Sequence, residues 1–170
     1  RGVPGFDIDM NRIFPGSEEG AVTEHIATQI MEDISGADFC VDIHASNIFL
    51  REILQVRMSE GTAEQLLPYA KLLNTDFIWV HGAATVLEST LAHGLTTSGV
   101  PTVVVEMGVG MRITKSYGLR LTEGMLCLMK RLGIWDGATI APKEPMTPDT
   151  RKVGLVHANT ACIFPPLLGT

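Results

Sequence analysis

The clearest strand in the chain is the run Pro101-Thr102-Val103-Val104-Val105-Glu106-Met107-Gly108. β-Branched residues favour strands because their side chains pack well on a pleated, half-buried surface. The run ends on a carboxylate and a glycine, so Glu106 is expected at the end of an apolar strand, partly removed from water. Removal from water raises the pKa of a carboxylate towards the range of a general base. The alternative is a glutamate that simply emerges into solvent.

Strands and helices alternate on both sides of this run. Hydrophobic patterning predicts strands at Phe39–His44, Glu52–Met58, Phe77–Val80 and Pro101–Gly108. It predicts helices at 17–34, 62–73, 88–98 and 114–132, and Gly36, Gly99 and Gly133 follow the first, third and fourth of them. This alternation indicates an α/β domain with a largely parallel sheet. Ligands bind beyond the carboxyl ends of the strands in such sheets, where His44, His81 and Glu106 are expected.

The sequence also predicts where the helices begin, whether they are interrupted and which of their faces are apolar. Ser17 is a candidate N-cap for the first helix, and Thr62 opens the second with capping-box spacing. Pro68 should kink or divide that second helix. The apolar faces of the first and last helices are predicted to contain Val22, Ile26, Ile30, Ile34, Met31, Leu119, Leu121, Met125, Leu128, Met129 and Leu132.

A polar motif precedes the first helix, with the sequence Asp9-Met10-Asn11-Arg12-Ile13-Phe14-Pro15-Gly16. Arg offers a rigid fork of donors that fits a carboxylate, and Asn adds another donor. The pair Asn11–Arg12 at the entrance to a Pro-Gly turn therefore predicts a clamp for a carboxylate substrate. The alternative is that Arg12 forms a salt bridge with Asp7 or Asp9 and stiffens the loop.

One histidine has an acidic companion at useful spacing. Asp42 precedes His44 by two residues and so lies on the same side of the predicted strand. A carboxylate in this position could orient the imidazole for metal binding, although a structural histidine is the alternative. His81 is a weaker candidate for the same role. Three further histidines, His25, His93 and His157, have no such companion and are interpreted as structural.

Composition restricts the possible partners. The 170 residues suggest one domain, with 45% hydrophobic and 19% charged residues and a net charge of -6. No Lys/Arg cluster indicates nucleic acid or an anionic membrane, so a small-molecule partner is expected. No apolar run approaches the ~20 residues of a membrane span, and no signal-peptide pattern occurs. Cys40, Cys127 and Cys162 are widely spaced and odd in number, as expected of free thiols in the cytoplasm.

Other patterns of catalysis are missing from the sequence. Gly108-Val109-Gly110 lacks the third glycine of a dinucleotide fingerprint, and neither a P-loop nor a G-x-S-x-G elbow occurs. No H-E-x-x-H or H-x-x-E motif is present. The chain opens on Arg1 without an initiator Met, which suggests a fragment. Five of the nine prolines lie in residues 136–170, as expected of a linker followed by the start of another unit.

Four motifs in order resemble those of the succinylglutamate desuccinylase and aspartoacylase family. They are Arg1-x-x-Pro4, Asp9-Met10-Asn11-Arg12-x-Phe14-Pro15-Gly16, Val41-Asp42-Ile43-His44 and Val105-Glu106-Met107-Gly108. The resemblance implies a zinc hydrolase with a carboxypeptidase-like sheet, mostly parallel or mixed, flanked by helices and truncated at both ends. It implies that residues 1–135 are an incomplete catalytic α/β domain. Residues 136–170 would be a linker and the start of a small C-terminal β domain.

The same resemblance implies a role for each candidate residue. His44 matches the third ligand of the Zn²⁺ ion and Glu106 the general base. Asn11 and Arg12 match the pair that holds the substrate carboxylate, and Arg1 matches the arginine that polarises the scissile carbonyl. The family's first two zinc ligands, in an H-x-x-E motif, lie upstream of that arginine and are missing from this sequence. The 170-residue chain alone is therefore expected to bind zinc poorly and to be inactive.

The expected reaction is cleavage of the amide bond of a small N-acyl amino acid or a related carboxylate-bearing substrate. A carboxypeptidase-type peptidase is one alternative. A non-catalytic carboxylate-binding module without a complete metal site is another. An unpaired sheet edge is also expected to favour a homo-oligomer.

Overall fold

The structure is a computed structural model that describes residues 8–82 and 88–148. Its strands are β1 (Cys40–His44), β2 (Glu52–Ser59), β3 (Phe77–His81) and β4 (Thr102–Gly108). Its α-helices are α1 (Val22–Ile34), α2 (Glu60–Ala70), α3 (Leu91–Thr97) and α4 (Lys115–Arg131), and short 3₁₀ helices span Met10–Arg12 and Lys71–Leu73. The four predicted strands and four predicted helices are confirmed, with shifts at their ends.

The sheet has the strand order β1-β4-β2-β3 and is mixed. β1 is parallel to β4 and β2 is parallel to β3, but β2 is antiparallel to β4. A fold with a mixed sheet flanked by helices is confirmed, whereas the expectation of a largely parallel sheet is wrong for the central pair. A parallel return needs a connection of a dozen or more residues. Only residues 45–51 join β1 to β2, so the chain reverses direction there.

Alternation of side chains along the strands gives the sheet two different faces. One face contributes Leu54, Val56, Met58, Val103 and Val105 to the main core, where Leu66 and Ala70 of α2 and Leu121 and Leu128 of α4 cover them. The opposite face carries Asp42, His44, Gln55, Arg57 and Glu106, because cross-strand partners share a face. The polar candidates therefore lie on the side of the sheet away from α2 and α4.

β1 is an end strand of the described sheet. Its side chains are only partly covered, and Ile43 is 50% exposed. The reason is that β1 has a single neighbour, β4, among the strands described. Association of two chains through this edge stays a prediction.

The first helix begins later than predicted and turns a different face inward. Ala21 is its N-cap, and the Glu24 carboxylate accepts from the Ala21 N–H at 2.7 Å. Ser17, the predicted N-cap, instead accepts from the N–H of Glu19 in a turn before the helix. Thr23 and Ala27 are buried. Val22, assigned to the apolar face, is 63% exposed. α1 packs against α3, where a Cβ atom on Gly94 of α3 would lie 3.2 Å from the Met31 side chain of α1.

The second and fourth helices also depart from the predictions. Ser59, not Thr62, caps α2 by accepting from the N–H of Gly61 at 3.3 Å. Pro68 does not divide α2, which continues to Ala70 and then tightens into the 3₁₀ helix Lys71–Leu73. On α4, Leu121 and Leu128 are buried as predicted, but Leu119 is 68% exposed.

Residues 137–146 lie against the α/β domain. Met146 forms a parallel bridge with Phe77 at the start of β3, and its carbonyl accepts from the N–H of Ile78 at 2.9 Å. The Lys143 ammonium contacts Asp76 at 2.7 Å. The domain boundary at 135/136 stays a prediction, and the C-terminal β domain predicted there falls largely in residues 149–170, outside the described part of the chain.

Asp76 joins this segment to α4. Its carboxylate accepts from both terminal nitrogens of Arg120, at 2.9 and 3.0 Å, in the bidentate geometry typical of Arg–carboxylate pairs. The hydrogen bonds from Arg120, and then those from Lys143, hold the pKa of Asp76 below its usual value. Because the folded-state pKa is depressed, the ionised carboxylate stabilises the fold above the unfolded pKa. That contribution is lost as the pH falls through the folded pKa.

We expect Asp76→Asn to lower the free energy of unfolding by about 1–2 kcal/mol near neutral pH, since two charged partners lose their acceptor. The difference between wild type and variant should shrink as the pH falls below the unfolded value of 3.8 and then through the lower pKa of Asp76 in the folded protein, where the wild type takes up its proton as well. Urea unfolding at several pH values measures this. Asp38→Asn, at an exposed carboxylate, is the control; a pH-independent loss at Asp76 would contradict the assignment.

Among the described residues, no helix combines the length and apolar character needed to cross a membrane.

Candidate active site

His44 is the last residue of β1, and Glu106 lies two residues before the end of β4, an adjacent strand that runs in the same direction. β1 pairs with β4 so that His44 is the register partner of Glu106. Their side chains therefore lie side by side on the polar face of the sheet, at one edge. The prediction that these two residues meet at the carboxyl ends of strands agrees with the register, although their roles stay predictions.

His81 lies at the opposite edge, so the expectation that it joins this group is wrong. It ends β3, where its register partner is Ser59, the last residue of β2. Gln55, four residues earlier on β2, is the partner of Glu106. Because β2 and β3 run against β1 and β4, the carboxyl end of β3 points away from His44. The Nδ1 atom of His81 lies 3.0 Å from the Gly82 carbonyl oxygen.

Asp42 contacts the His44 imidazole directly. The Oδ2 atom of Asp42 lies 3.0 Å from Nε2 of His44, in an ionic contact without the alignment of a good hydrogen bond. Contact with Asp42 raises the pKa of His44, and partial burial opposes that rise. The contact holds the ring by Nε2, so Nδ1 is the ring nitrogen left to bind another group.

Glu106 has two carboxylate oxygens in different surroundings. Its side chain is 15% exposed, and burial raises its pKa above the usual value for glutamate, opposed by the charge of Arg57. Oε1 lies 3.5 Å from the Nη1 atom of Arg57. Oε2 is buried and has no hydrogen-bond partner among the described residues. The alternative of a glutamate that emerges into solvent is therefore wrong for this side chain.

Four residues near Glu106 form a network that sequence reasoning missed. Arg57 donates to Glu52, which also accepts from Gln55 Nε2 at 2.6 Å and from the Ser46 hydroxyl at 3.3 Å. We call Ser46, Glu52, Gln55 and Arg57 the Arg57 network. A signal was present in the sequence: Gln55 and Arg57 alternate with Leu54, Val56 and Met58. A register shift between Glu52 and Gln55 then brings Glu52 to the same group, which alternation alone does not predict.

Asn11 and Arg12 belong to the short 3₁₀ helix before α1, and hydrogen bonds attach this turn to α3 rather than to His44 or Glu106. The Asn11 Oδ1 atom accepts from the N–H of Leu91 at 2.8 Å. Arg12 is exposed and donates from Nη1 to the Asn11 carbonyl at 2.6 Å. Asp9 accepts from the N–H of Asn11 at 3.0 Å and forms no ion pair with Arg12. Both Arg1 and Asp7 lie outside the described residues.

We expect Arg12→Lys to weaken binding of carboxylate-bearing substrates about tenfold, because an ammonium cannot reproduce the planar fork of donors. KM for a carboxylate substrate and for its uncharged amide analogue measures this. Arg131→Lys, at another arginine with an exposed position, is the control. If Arg12→Lys leaves the preference between the two substrates unchanged, Arg12 does not hold the carboxylate.

The described residues supply part of a metal site. In residues 8–82 and 88–148, no group of three His, Cys, Asp or Glu side chains is arranged to hold a metal ion. His25 and His93 are exposed on helices. His44 fits the role of a single imidazole ligand. Asp42 contacts one ring nitrogen and orients the ring, as a carboxylate usually does for a histidine that binds a metal. A zinc site of three protein ligands is thus incomplete in this part of the chain.

The sequence profile of the succinylglutamate desuccinylase/aspartoacylase catalytic domain matches residues 1–132. The match covers more than half of the 170 residues, so the chain belongs to this family of hydrolases, and the predicted family is confirmed. No curated protein sequence gives a match.

Solved structures are similar in fold. The succinylglutamate desuccinylase/aspartoacylase from Rhodobacter sphaeroides is 20% identical, with a TM-score of 0.72 over 85% of this chain and 45% of that one. The product-bound ectoine utilization protein EutE from Ruegeria pomeroyi is 22% identical, with a TM-score of 0.72 over 82% of this chain and 44% of that one. A succinylglutamate desuccinylase from Silicibacter sp. TM1040 is 21% identical, with a TM-score of 0.72 over 82% and 44%. This chain spans less than half the length of these relatives.

Proposed function

We propose that this chain is part of a zinc-dependent hydrolase that cleaves the amide bond of a small N-acyl amino acid or a related carboxylate-bearing substrate. The observation that carries the proposal is the pairing of His44 with Glu106 towards the C-terminal ends of adjacent parallel strands. Membership in a family named for desuccinylase and aspartoacylase activities supports it. We also expect a cytoplasmic enzyme that forms a homo-oligomer.

Glu106 is the general base in this proposal. It accepts a proton from the attacking water at Oε2, the buried oxygen without a partner among the described residues, and returns it to the departing amine. His44 would hold the metal through Nδ1 while Asp42 holds Nε2. Zinc bound there would polarise the scissile carbonyl and would lower the pKa of its water to about 7.

The substrate carboxylate is assigned to Asn11 and Arg12. The Nδ2 donor of Asn11 and the exposed guanidinium of Arg12 are suited to a planar anion. The side-chain Oδ1 atom of Asn11 already accepts from the N–H of Leu91, which fixes the amide in one orientation. Arg1 is assigned to polarising the scissile carbonyl.

A non-catalytic carboxylate-binding module is the second candidate. It is favoured by the incomplete metal site of the described residues, in which His44 is the one imidazole beside Glu106. Such a module would keep the Asn11–Arg12 clamp and bind carboxylates without turnover.

Zinc binding and turnover, measured together, separate these candidates. Equilibrium dialysis with zinc should be done on this chain and on the full-length gene product, each as wild type, as His44→Ala and as the control His93→Ala. N-succinylglutamate, N-acetylaspartate and short peptides are the test substrates. We expect one zinc and turnover of an N-acyl amino acid only in the full-length protein, and loss of both in His44→Ala. Carboxylate binding without zinc would favour the module, and turnover of peptides alone would favour a carboxypeptidase-type enzyme.

A further inference from the structure

Arg57 touches both carboxylates that lie beside it on the polar face of the sheet. Its Nη2 atom pairs with Glu52, and its Nη1 atom lies 3.5 Å from Oε1 of Glu106. The guanidinium also lies over the ring of Trp79, 5.2 Å from the ring centroid. Arg57 thus connects the candidate base to a second carboxylate on the neighbouring strand.

The position of this guanidinium is fixed from several sides. Glu52 accepts from Gln55 and Ser46 as well as from Arg57, so the carboxylate that holds Arg57 is itself held. Trp79 contributes a cation–π contact on the adjacent strand β3. A planar group anchored by an ion pair and an aromatic ring keeps its two terminal nitrogens in a constant direction.

This arrangement makes the two oxygens of Glu106 unequal. Oε1 faces the cation, while Oε2 has no hydrogen-bond partner among the described residues. An oxygen that already faces a guanidinium is a poor proton acceptor, because the cation stabilises its negative charge. The oxygen without a partner is then the one that takes the proton. A half-turn of the carboxylate only exchanges its two equivalent oxygens, so the contact with Arg57 always leaves the other oxygen in this position.

We propose that Arg57, anchored by Glu52 and Trp79, is a positioning residue that holds Oε1 of Glu106 so that Oε2 faces the substrate. The inference rests on the proposed role of Glu106 as general base. Arg57 acts through Glu106 and does not itself touch the reacting atoms. Glu52 supports it by neutralising the guanidinium, which would otherwise form a tight pair with Glu106.

Kinetics of the full-length protein provide the first test. Arg57→Gln should lower kcat about 10–100-fold with little change in KM, as is usual when support for a catalytic group is removed. Arg57→Lys should recover only part of kcat, since an ammonium keeps the charge but cannot reach both carboxylates with a rigid fork. Arg120→Gln, which removes a comparable arginine pair on α4, should leave kcat unchanged.

The outcomes separate this inference from the proposed function. If Glu106→Gln abolishes turnover but Arg57→Gln does not affect kcat, the positioning role is wrong and the base assignment stands. If Glu106→Gln itself leaves turnover normal, the base assignment fails, and this inference fails with it. An equal fall in kcat for Arg57→Gln and Arg57→Lys would also contradict the role. It would mean that the positive charge kept by the lysine does nothing to hold Glu106 in place.

A double-mutant cycle on stability gives a test that needs no substrate. Arg57→Gln leaves the carboxylate of Glu106 without its cation, and adding Glu106→Gln removes that penalty. The melting temperature of the double variant should therefore exceed the value expected from adding the two single shifts by about 2–4 °C. The pair Arg120→Gln and Glu106→Gln should be additive. Additivity for Arg57 and Glu106 would show that the two side chains do not interact and would overturn the proposal.

Discussion

Glu106→Gln should lower kcat about 10²–10⁴-fold in the full-length protein while zinc content stays unchanged. The amide keeps the shape of the carboxylate and its place near the end of β4, but it cannot accept the proton from water. Measurement of kcat together with metal content by atomic absorption checks both parts. Since Glu106 is largely buried, a melting curve should accompany the assay to show that the variant is folded.

Glu64→Gln is the matched control for this substitution. Glu64 lies exposed on α2, so the same chemical change there should leave kcat and metal content as in wild type. A near-normal kcat for Glu106→Gln would remove Glu106 as the base. Loss of zinc together with activity would instead indicate that Glu106 contributes to metal binding.

Gly124→Ala should lower the free energy of unfolding by about 3 kcal/mol, because α4 crosses the 3₁₀ helix Lys71–Leu73 at this glycine. A Cβ atom on Gly124 would overlap the main-chain carbonyl of Leu73. Backbone cannot move aside as a flexible side chain can, so α4 would have to shift away from the core formed with Leu121 and Leu128. Urea unfolding followed by circular dichroism measures the loss.

Gly118→Ala on the same helix is the control. A Cβ atom there would meet nothing within 4 Å, so alanine should be neutral or stabilise the helix by up to about 1 kcal/mol. Equal effects of the two substitutions would mean that helix propensity, not the close approach to Leu73, controls the result at Gly124.

Local sequence determined which segments form strands and helices. The β-branched run at residues 102–105 forms β4, and Gly99 and Gly133 follow helices with φ angles of +90° and +79°. These features depend on a residue's own backbone preference and on its near neighbours. The sequence also placed Glu106 and His44 at strand ends. It did not determine which helix face is buried: Val22 and Leu119 are exposed because packing partners, not periodicity alone, select the face.

Only the tertiary structure decided which strand ends come together. In the sequence, His44, His81 and Glu106 each stand at or near the C-terminal end of a predicted apolar strand. The antiparallel pairing of β2 with β4 sends His81 to the far edge of the sheet and brings Arg57 and Glu52 beside Glu106 instead. Strand direction follows from connection length and from the order of strands, which couple residues far apart in the chain. The alternation along β2 indicates that Gln55 and Arg57 share a face, but a strand's own residues do not determine its neighbours. The position of the Arg57 network beside Glu106 therefore depends on the pairing of β2 with β4.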